Sequence, residues 1–287
     1  MKKIAFIGVG RMGRPIVRNL MRLGFELHVF SESLVKVYDV VGEGAKYHAE
    51  ISDCVKDCEV VMTMLGFPKD VEEVYFSRGN VMDSVKEGTY LIDMTTTSPT
   101  LSQRIFSEGS KRGFRVLDAP VSGSENAARK GKLAILVGGK FEDYKSCLPL
   151  LRAVGTHVSY MGEAGKGQHA MIASQIMIAG TLAGISEALA YVKAKGLDTP
   201  KFVKAISSSE AGSRQLDINA SKIMDRDFTA GFSIRHFVKD MLIAIDEANR
   251  DTIKLDVLMT IMTHYRQLED DGQGEMGVQS LAKFYGA

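Results

Sequence analysis

The sequence has little cysteine, no surplus charge of one sign, and no internal repeat or low-complexity tract. Its three cysteines among 287 residues, Cys54, Cys58 and Cys147, are too few and too irregularly placed for a disulfide framework. Cys54 and Cys58 have the spacing of one face of a short helix. With no second cysteine pair or histidine cluster nearby, the pattern is structural and no metal is expected. Lysine and arginine number 36 against 35 aspartate and glutamate, so bulk electrostatics gives no pull toward nucleic acid or an anionic membrane. No apolar run reads as approaching the ~18 residues that span a bilayer. The first apolar segment ends at a glycine-rich turn, not at a small-residue cleavage site, so no targeting peptide is read and a cytoplasmic location is expected.

What is present is order along the chain. In the first half, short β-branched runs alternate with longer amphipathic ones. Strands are expected at Lys3–Ile7, Glu26–Phe30, Val60–Met64, Tyr90–Asp93, Arg115–Asp118 and Leu133–Val137, with helices such as Met12–Leu23 and Ser98–Lys111 between them. Such alternation predicts an α/β, Rossmann-type parallel-sheet domain covered by helices on both faces. From Gly165 to Ala194 one apolar-periodic stretch predicts a helix of about 30 residues, roughly 45 Å long, closed by Gly196 behind a basic residue. Only helical patterns follow, at Pro200–Ile206, Leu216–Met224, Arg235–Arg250 and Ile253–Asp270, which makes the second part all-α. The expected domains are residues 1–162 and 163–287, with a substrate cleft between them and the long helix at the seam of a homodimer or homotetramer.

The strongest local signal is Gly8-Val9-Gly10-Arg11-Met12-Gly13, directly after the first strand and opening a helix. Gly8 permits the tight turn, Gly10 lets a pyrophosphate reach backbone amides, and Gly13 lets helix and strand pack closely. The helix start adds partial positive charge for the phosphates. Ser31 and Glu32 stand at the end of the second strand, in the region of the adenosine ribose, with Glu32 pointing to solvent and Lys36 swinging in as the alternative. An acidic side chain there accepts hydrogen bonds from ribose hydroxyls and repels a 2′-phosphate, so NAD is expected over NADP.

On these residues the chain resembles the β-hydroxyacid dehydrogenase family, which includes 3-hydroxyisobutyrate dehydrogenases, tartronate semialdehyde reductases and relatives of 6-phosphogluconate dehydrogenase. Ile4 to Gly13 is similar to the family's opening. Asp93-Met94-Thr95-Thr96-Thr97-Ser98-Pro99 matches the segment beside the nicotinamide, and Asp118-Ala119-Pro120-Val121-Ser122-Gly123 matches the substrate-binding turn. Gly131-Lys132-Leu133 and Val137-Gly138-Gly139 complete the central signature, and Lys239-Asp240 matches a pair whose lysine approaches the cofactor. The resemblance implies hydride transfer between a nicotinamide and a small hydroxyacid or semialdehyde. It implies cofactor contacts from Val9, Arg11, Met12, Leu65, Thr95 and Lys239, and substrate contacts from Ser122, Gly123, Ser124 and Ser174. Arg214 is a candidate to bind a carboxylate bidentately, with a helix-start arginine at the surface as the alternative.

The chain departs from the family where chemistry depends on it. After Gly165-Lys166-Gly167, the position at which the family carries its catalytic lysine is Met171, and the amide-bearing positions that follow are Ser174 and Gln175. Spacing alone would make Met171 core filler; the preceding glycine pair identifies the position it occupies. A thioether neither takes nor gives a proton. Uncompensated, the loss is ~10²–10⁴ in rate. Gln175 and Asp240 are the remaining catalytic candidates, and His236 is weighed as a cleft residue against a structural one. Three readings stand: a dehydrogenase with the lysine replaced, an imine reductase, whose electron-poor substrate needs less proton help, and a catalytically quiet dinucleotide-binding protein.

Overall fold

The computed structural model describes residues 1–286. The chain divides into two compact units, Met1–Met171 and Ile172–Ala287.

In the first unit, β1 (Lys3–Ile7) is buried on both sides. Ile4 and Phe6 join Ile16, Leu20, Met62 and Ile92 on one face, while Ala5 and Ile7 join Val61, Leu91, Ile105 and Val116 on the other. A strand covered on both faces must be apolar at successive positions, which explains the unbroken run Ile-Ala-Phe-Ile. The other strands are β2 (Glu26–Phe30), β3 (Lys46–His48), β4 (Val60–Thr63), β5 (Tyr90–Asp93), β6 (Arg115–Asp118), β7 (Val121–Ser122), β8 (Leu133–Gly139) and β9 (Gly155–Gly162). They form one sheet in the order β3-β2-β1-β4-β5-β6-β8-β7, with β9 paired to β8. β1 is parallel to both β2 and β4, so the strand order reverses beside it. That reversal opens a crevice at the carboxyl ends of β1 and β4.

All six expected strands are present, but the sheet is not wholly parallel: β8 runs antiparallel to β6 and β7. β3, β7 and β9 are absent from the sequence reading for a common reason. β3 is Lys-Tyr-His with no fully buried residue, β7 has two residues, and β9 has a single buried residue, Gly155. None carries the apolar signature of a central strand. The helix Pro99–Lys111 starts where expected, because Ser98 Oγ accepts the Leu101 N–H at 3.1 Å and Pro99 supplies a preset first turn.

The long helix runs Lys166–Ala194, with Met171 the last residue of the first unit and Ile172 the first of the second. Contrary to the expectation from run length, this helix is long and apolar enough to cross a membrane, with a window of mean hydropathy 1.4. Interspersed glycine, serine and threonine hide that from a count of consecutive apolar residues. In the fold one face of it packs into the core. Ala179, Leu182 and Ala183 lie in the core of the second unit, and the buried Ser186 returns its hydroxyl to Leu182 O at 2.8 Å. The second unit also holds helices Ile234–Arg250 and Asp256–Leu268, which pack around Phe237, Met241, Ile261 and Tyr265, and helices Thr199–Ile206 and Arg214–Met224, which pack in a smaller cluster with Ile185 and Leu189 of the long helix. Helix Asp256–Leu268 stops short of the expected Asp270, giving way to a wide turn over Glu269–Gln273 in which Gly272 has φ 77°.

Candidate active site

The three fingerprint glycines differ in what surrounds them. A Cβ on Gly8, at φ +100°, would lie 2.2 Å from Met64 O, and one on Gly13 would lie 2.1 Å from Gly8 O. Gly10 is the opposite case: nothing comes within 4 Å of where its Cβ would be. Fold packing therefore requires the outer two glycines but not the middle one, whose bare backbone faces open space. The helix Gly13–Arg22 starts there, and its N-cap Met12 supplies no side-chain cap, so the positive helix end is not closed by a side chain. These residues fit a pyrophosphate. Val9 is buried in the adjoining core, and Arg11 projects to an ion pair with Glu125 at 3.6 Å.

At the end of β2, Ser31 Oγ donates to Ser33 O at 3.0 Å. The Glu32 side chain is 81% exposed and pairs with Lys36 Nζ at 3.2 Å. Its charge is thus partly cancelled by a cation one helical turn away.

The ends of β4 and β5 are tied together by hydrogen bonds. The Leu65 N–H donates to Thr95 Oγ1 at 2.9 Å, and the Thr95 N–H and Thr63 hydroxyl donate to Asp93 Oδ1 at 3.1 and 2.8 Å. Asp93 is buried, and desolvation pushes its carboxyl up to about 6 against the opposing pull of Thr95 and Thr63. An unfolded aspartate titrates near ~3.9, so the folded chain binds this proton more tightly. The stability it contributes is full below about pH 4 and lost as pH rises through about 6. Relative to Asp93→Asn, the unaltered protein should therefore gain about 1 kcal/mol of unfolding free energy between about pH 7 and about pH 5 in urea titrations. Equal pH slopes for the two proteins would contradict this.

On the substrate side, Ser122 is half-buried in β7, paired with Ala134 of β8. Gly123 has φ +147°, and a Cβ there would lie 2.7 Å from a Leu133 methyl, so the fold itself demands glycine. Ser124 is occupied as a helix cap, its Oγ accepting the Ala127 N–H at 3.2 Å. Along the long helix Met171 and Gln175 are buried and Ser174 is half-buried. Within the second unit, Gln175 Nε2 donates to Asp240 Oδ2, and Lys239 Nζ stands 2.8 Å from Asp240 Oδ1, both side chains of that pair being almost fully buried. The structure thus brings Gln175, Lys239 and Asp240 together. Asp240 stands between the Gln175 amide and the Lys239 side chain, an arrangement suited to orienting Lys239. Arg214 is exposed at the first position of its helix, behind the N-cap Ser213. His236 is fixed by Ser233 Oγ, 2.8 Å from its Nδ1, and burial with the nearby Lys239 pushes its pKa down.

Two residues near this chemistry were not read as site residues from the sequence. The carboxylate of Asp118 accepts N–H groups from Gly165 at 2.7 Å and Gln168 at 3.0 Å, capping the start of the long helix. A Cβ on Gly138 or Gly167 would come within 2.5 or 2.7 Å of that carboxylate. The signal was available: Gly165-x-Gly167 marks Met171 by resemblance, but physically the second glycine makes room for Asp118. Gln168 is the other.

Comparison with known proteins places this geometry. Residues 3–162 match the family model described as the NAD binding domain of 6-phosphogluconate dehydrogenase. Residues 165–285 match the model described as NAD-binding of NADP-dependent 3-hydroxyisobutyrate dehydrogenase. The chain belongs to the β-hydroxyacid dehydrogenase family. It is an NAD(P)-dependent oxidoreductase of that family. Among its relatives, the Bacillus subtilis oxidoreductase YkwC is 37% identical over 99% of this chain and 99% of its own. The 2-hydroxy-3-oxopropionate reductase of Escherichia coli is 30% identical over 98% of this chain and 96% of its own. The solved structure of a Mycobacterium tuberculosis 3-hydroxyisobutyrate dehydrogenase with L-serine superposes with TM-score 0.92 at 24% identity, covering 100% of both chains.

The family match corrects the cofactor expectation. NAD was favoured over NADP on the charge of Glu32, whereas the model matching the C-terminal half is that of an NADP-dependent enzyme. The physical reason lies in the Glu32–Lys36 pair. An exposed carboxylate shared with a neighbouring ammonium, and screened by salt, is a weak barrier to a 2′-phosphate.

Proposed function

We propose that this β-hydroxyacid dehydrogenase transfers hydride between NADP(H) and a small hydroxyacid or its semialdehyde. The observation that carries the reading is a continuous contact path. Gly8 packs on Met64 O, Leu65 binds Thr95, and Gly10 beside them presents bare backbone to open space. That path joins a phosphate-binding turn to the segment that in the family lies beside the nicotinamide. When bound, the cofactor supplies or accepts the hydride.

The chain's own residues divide the remaining work. The Gly8–Gly13 turn holds pyrophosphate, and the exposed Lys36 offers an ammonium to a 2′-phosphate once its weak pairing with Glu32 opens. Ser122 and Ser174 are the substrate contacts, and Gln175 and Asp240 keep in position Lys239, the lysine that in the family approaches the cofactor. Met171 occupies the family's lysine position and supplies no proton. The substrate name borne by the E. coli relative, a 2-hydroxy-3-oxo acid, supports a semialdehyde as the oxidised partner. Assembly as a homodimer or homotetramer and a cytoplasmic location complete the reading.

Met171 also favours a second reading, imine reduction, because an iminium needs less proton assistance. Following reduced-nicotinamide absorbance across semialdehydes, 2- and 3-hydroxyacids and cyclic imines separates the two. Turnover of NADPH with a semialdehyde is expected. Turnover confined to imines would replace the first reading with the second, and tight cofactor binding without any turnover would leave a dinucleotide-binding protein.

A further inference from the structure

We infer that Gln168 is a positioning residue that couples the cofactor side of the first unit to the helix carrying position 171; this rests on the reading of Thr95 as a cofactor-side residue. Gln168 is completely buried in the first turn of the long helix. Its Nε2–H donates to Thr95 O at 2.7 Å, and its Oε1 accepts the Thr97 N–H at 3.1 Å. The side-chain amide thereby acts as a peptide group, satisfying an acceptor and a donor two residues apart on the segment leaving β5. Its own backbone N–H is taken by Asp118 Oδ2 at 3.0 Å. The same Thr95 accepts the Leu65 N–H on Oγ1, and Leu65 follows the Met64 carbonyl against which Gly8 is packed. A chain of direct contacts thus runs from the phosphate-binding turn through Thr95 to Gln168. Met171 lies three residues further along the same helix face.

An amide at this point does what no other side chain can. Leucine fills the space but leaves Thr95 O and Thr97 N–H unpaired, and glutamate keeps only the bond from Thr97. In Gln168→Glu the second oxygen would face the Thr95 carbonyl and repel it unless protonated. The acidic groups around it, Asp118 at the helix start and Asp93 beyond Thr95, raise its pKa further, as does burial. The glutamate variant therefore has a proton-dependent clamp.

The experiment titrates NADPH into the full-length unaltered protein, Gln168→Leu and Gln168→Glu, well below their thermal midpoints, at about pH 5.5 and about pH 8. With each affinity divided by that of the unaltered protein at the same pH, Gln168→Leu should be weakened about tenfold at both, and Gln168→Glu should weaken about tenfold from the lower pH to the higher. A purely structural role would lower the melting temperature and leave these ratios near one, overturning the inference. Should a variant fail to fold, amide exchange on the unaltered protein decides: the Thr97 N–H should gain protection when NADPH binds, and unchanged exchange there would overturn it. If the unaltered protein binds no nicotinamide cofactor, it is the underlying reading of the site that fails, a result distinct from unaltered affinity in the variants.

Discussion

Replacing Met171 with lysine should raise turnover of a hydroxyacid or semialdehyde by ~10²-fold or more. Oxidation of an alcohol requires loss of the hydroxyl proton, and the reverse reaction requires a donor to the forming alkoxide; a thioether serves neither. Met171 is buried, so an amine introduced there would be desolvated and its pKa lowered toward neutrality, where it exchanges protons most effectively. Cofactor affinity should change little. Comparing kcat/KM and NADPH affinity for the two proteins tests this, and an unchanged kcat/KM on every acid and semialdehyde would show that position 171 does not carry the missing proton chemistry.

The fingerprint glycines should separate by the kind of damage they suffer. Gly8→Ala drives a methyl into the Met64 carbonyl at a backbone φ that alanine resists, so a loss of about 3 kcal/mol or more in stability is expected, with cofactor binding lost alongside. At Gly10 a Cβ meets nothing within 4 Å, so Gly10→Asp should leave the unfolding free energy little changed. It places a carboxylate where the proposed site would hold the pyrophosphate. At an effective dielectric near ~20, two unit charges about 4 Å apart repel by about 4 kcal/mol, so affinity should fall by at least ~10²-fold. Denaturant unfolding and cofactor titration together check both. A Gly10→Asp protein that binds NADPH normally would remove the phosphates from this turn.

How much of this was legible beforehand depended on whether one residue or a long-range partnership carried the signal. β1 and the Gly8–Gly13 turn are local, and apolar continuity followed by glycine spacing suffices to read them. β3 and β9 are polar edge or near-edge strands whose existence depends on their neighbours, so composition hides them. The membrane-like apolarity of Lys166–Ala194 was missed because small polar residues interrupt it, although helical periodicity marked its extent correctly. Glu32 was legible as an acid at the ribose position, and Lys36 as the nearest cation that could swing in; that the two pair, which blunts the acid's effect, is visible only in the fold. Asp118 and Gln168 stand within legible motifs, but their roles depend on contacts spanning 47 to 73 residues that no local pattern reveals.

The most direct test of the central claim is a side-by-side titration of the unaltered protein with NADPH and NADH at physiological ionic strength. The account predicts NADPH binding at least about tenfold tighter, with Lys36→Ala narrowing the gap because it removes the ammonium available to the 2′-phosphate. Equal affinities, or tighter binding of NADH, would contradict it.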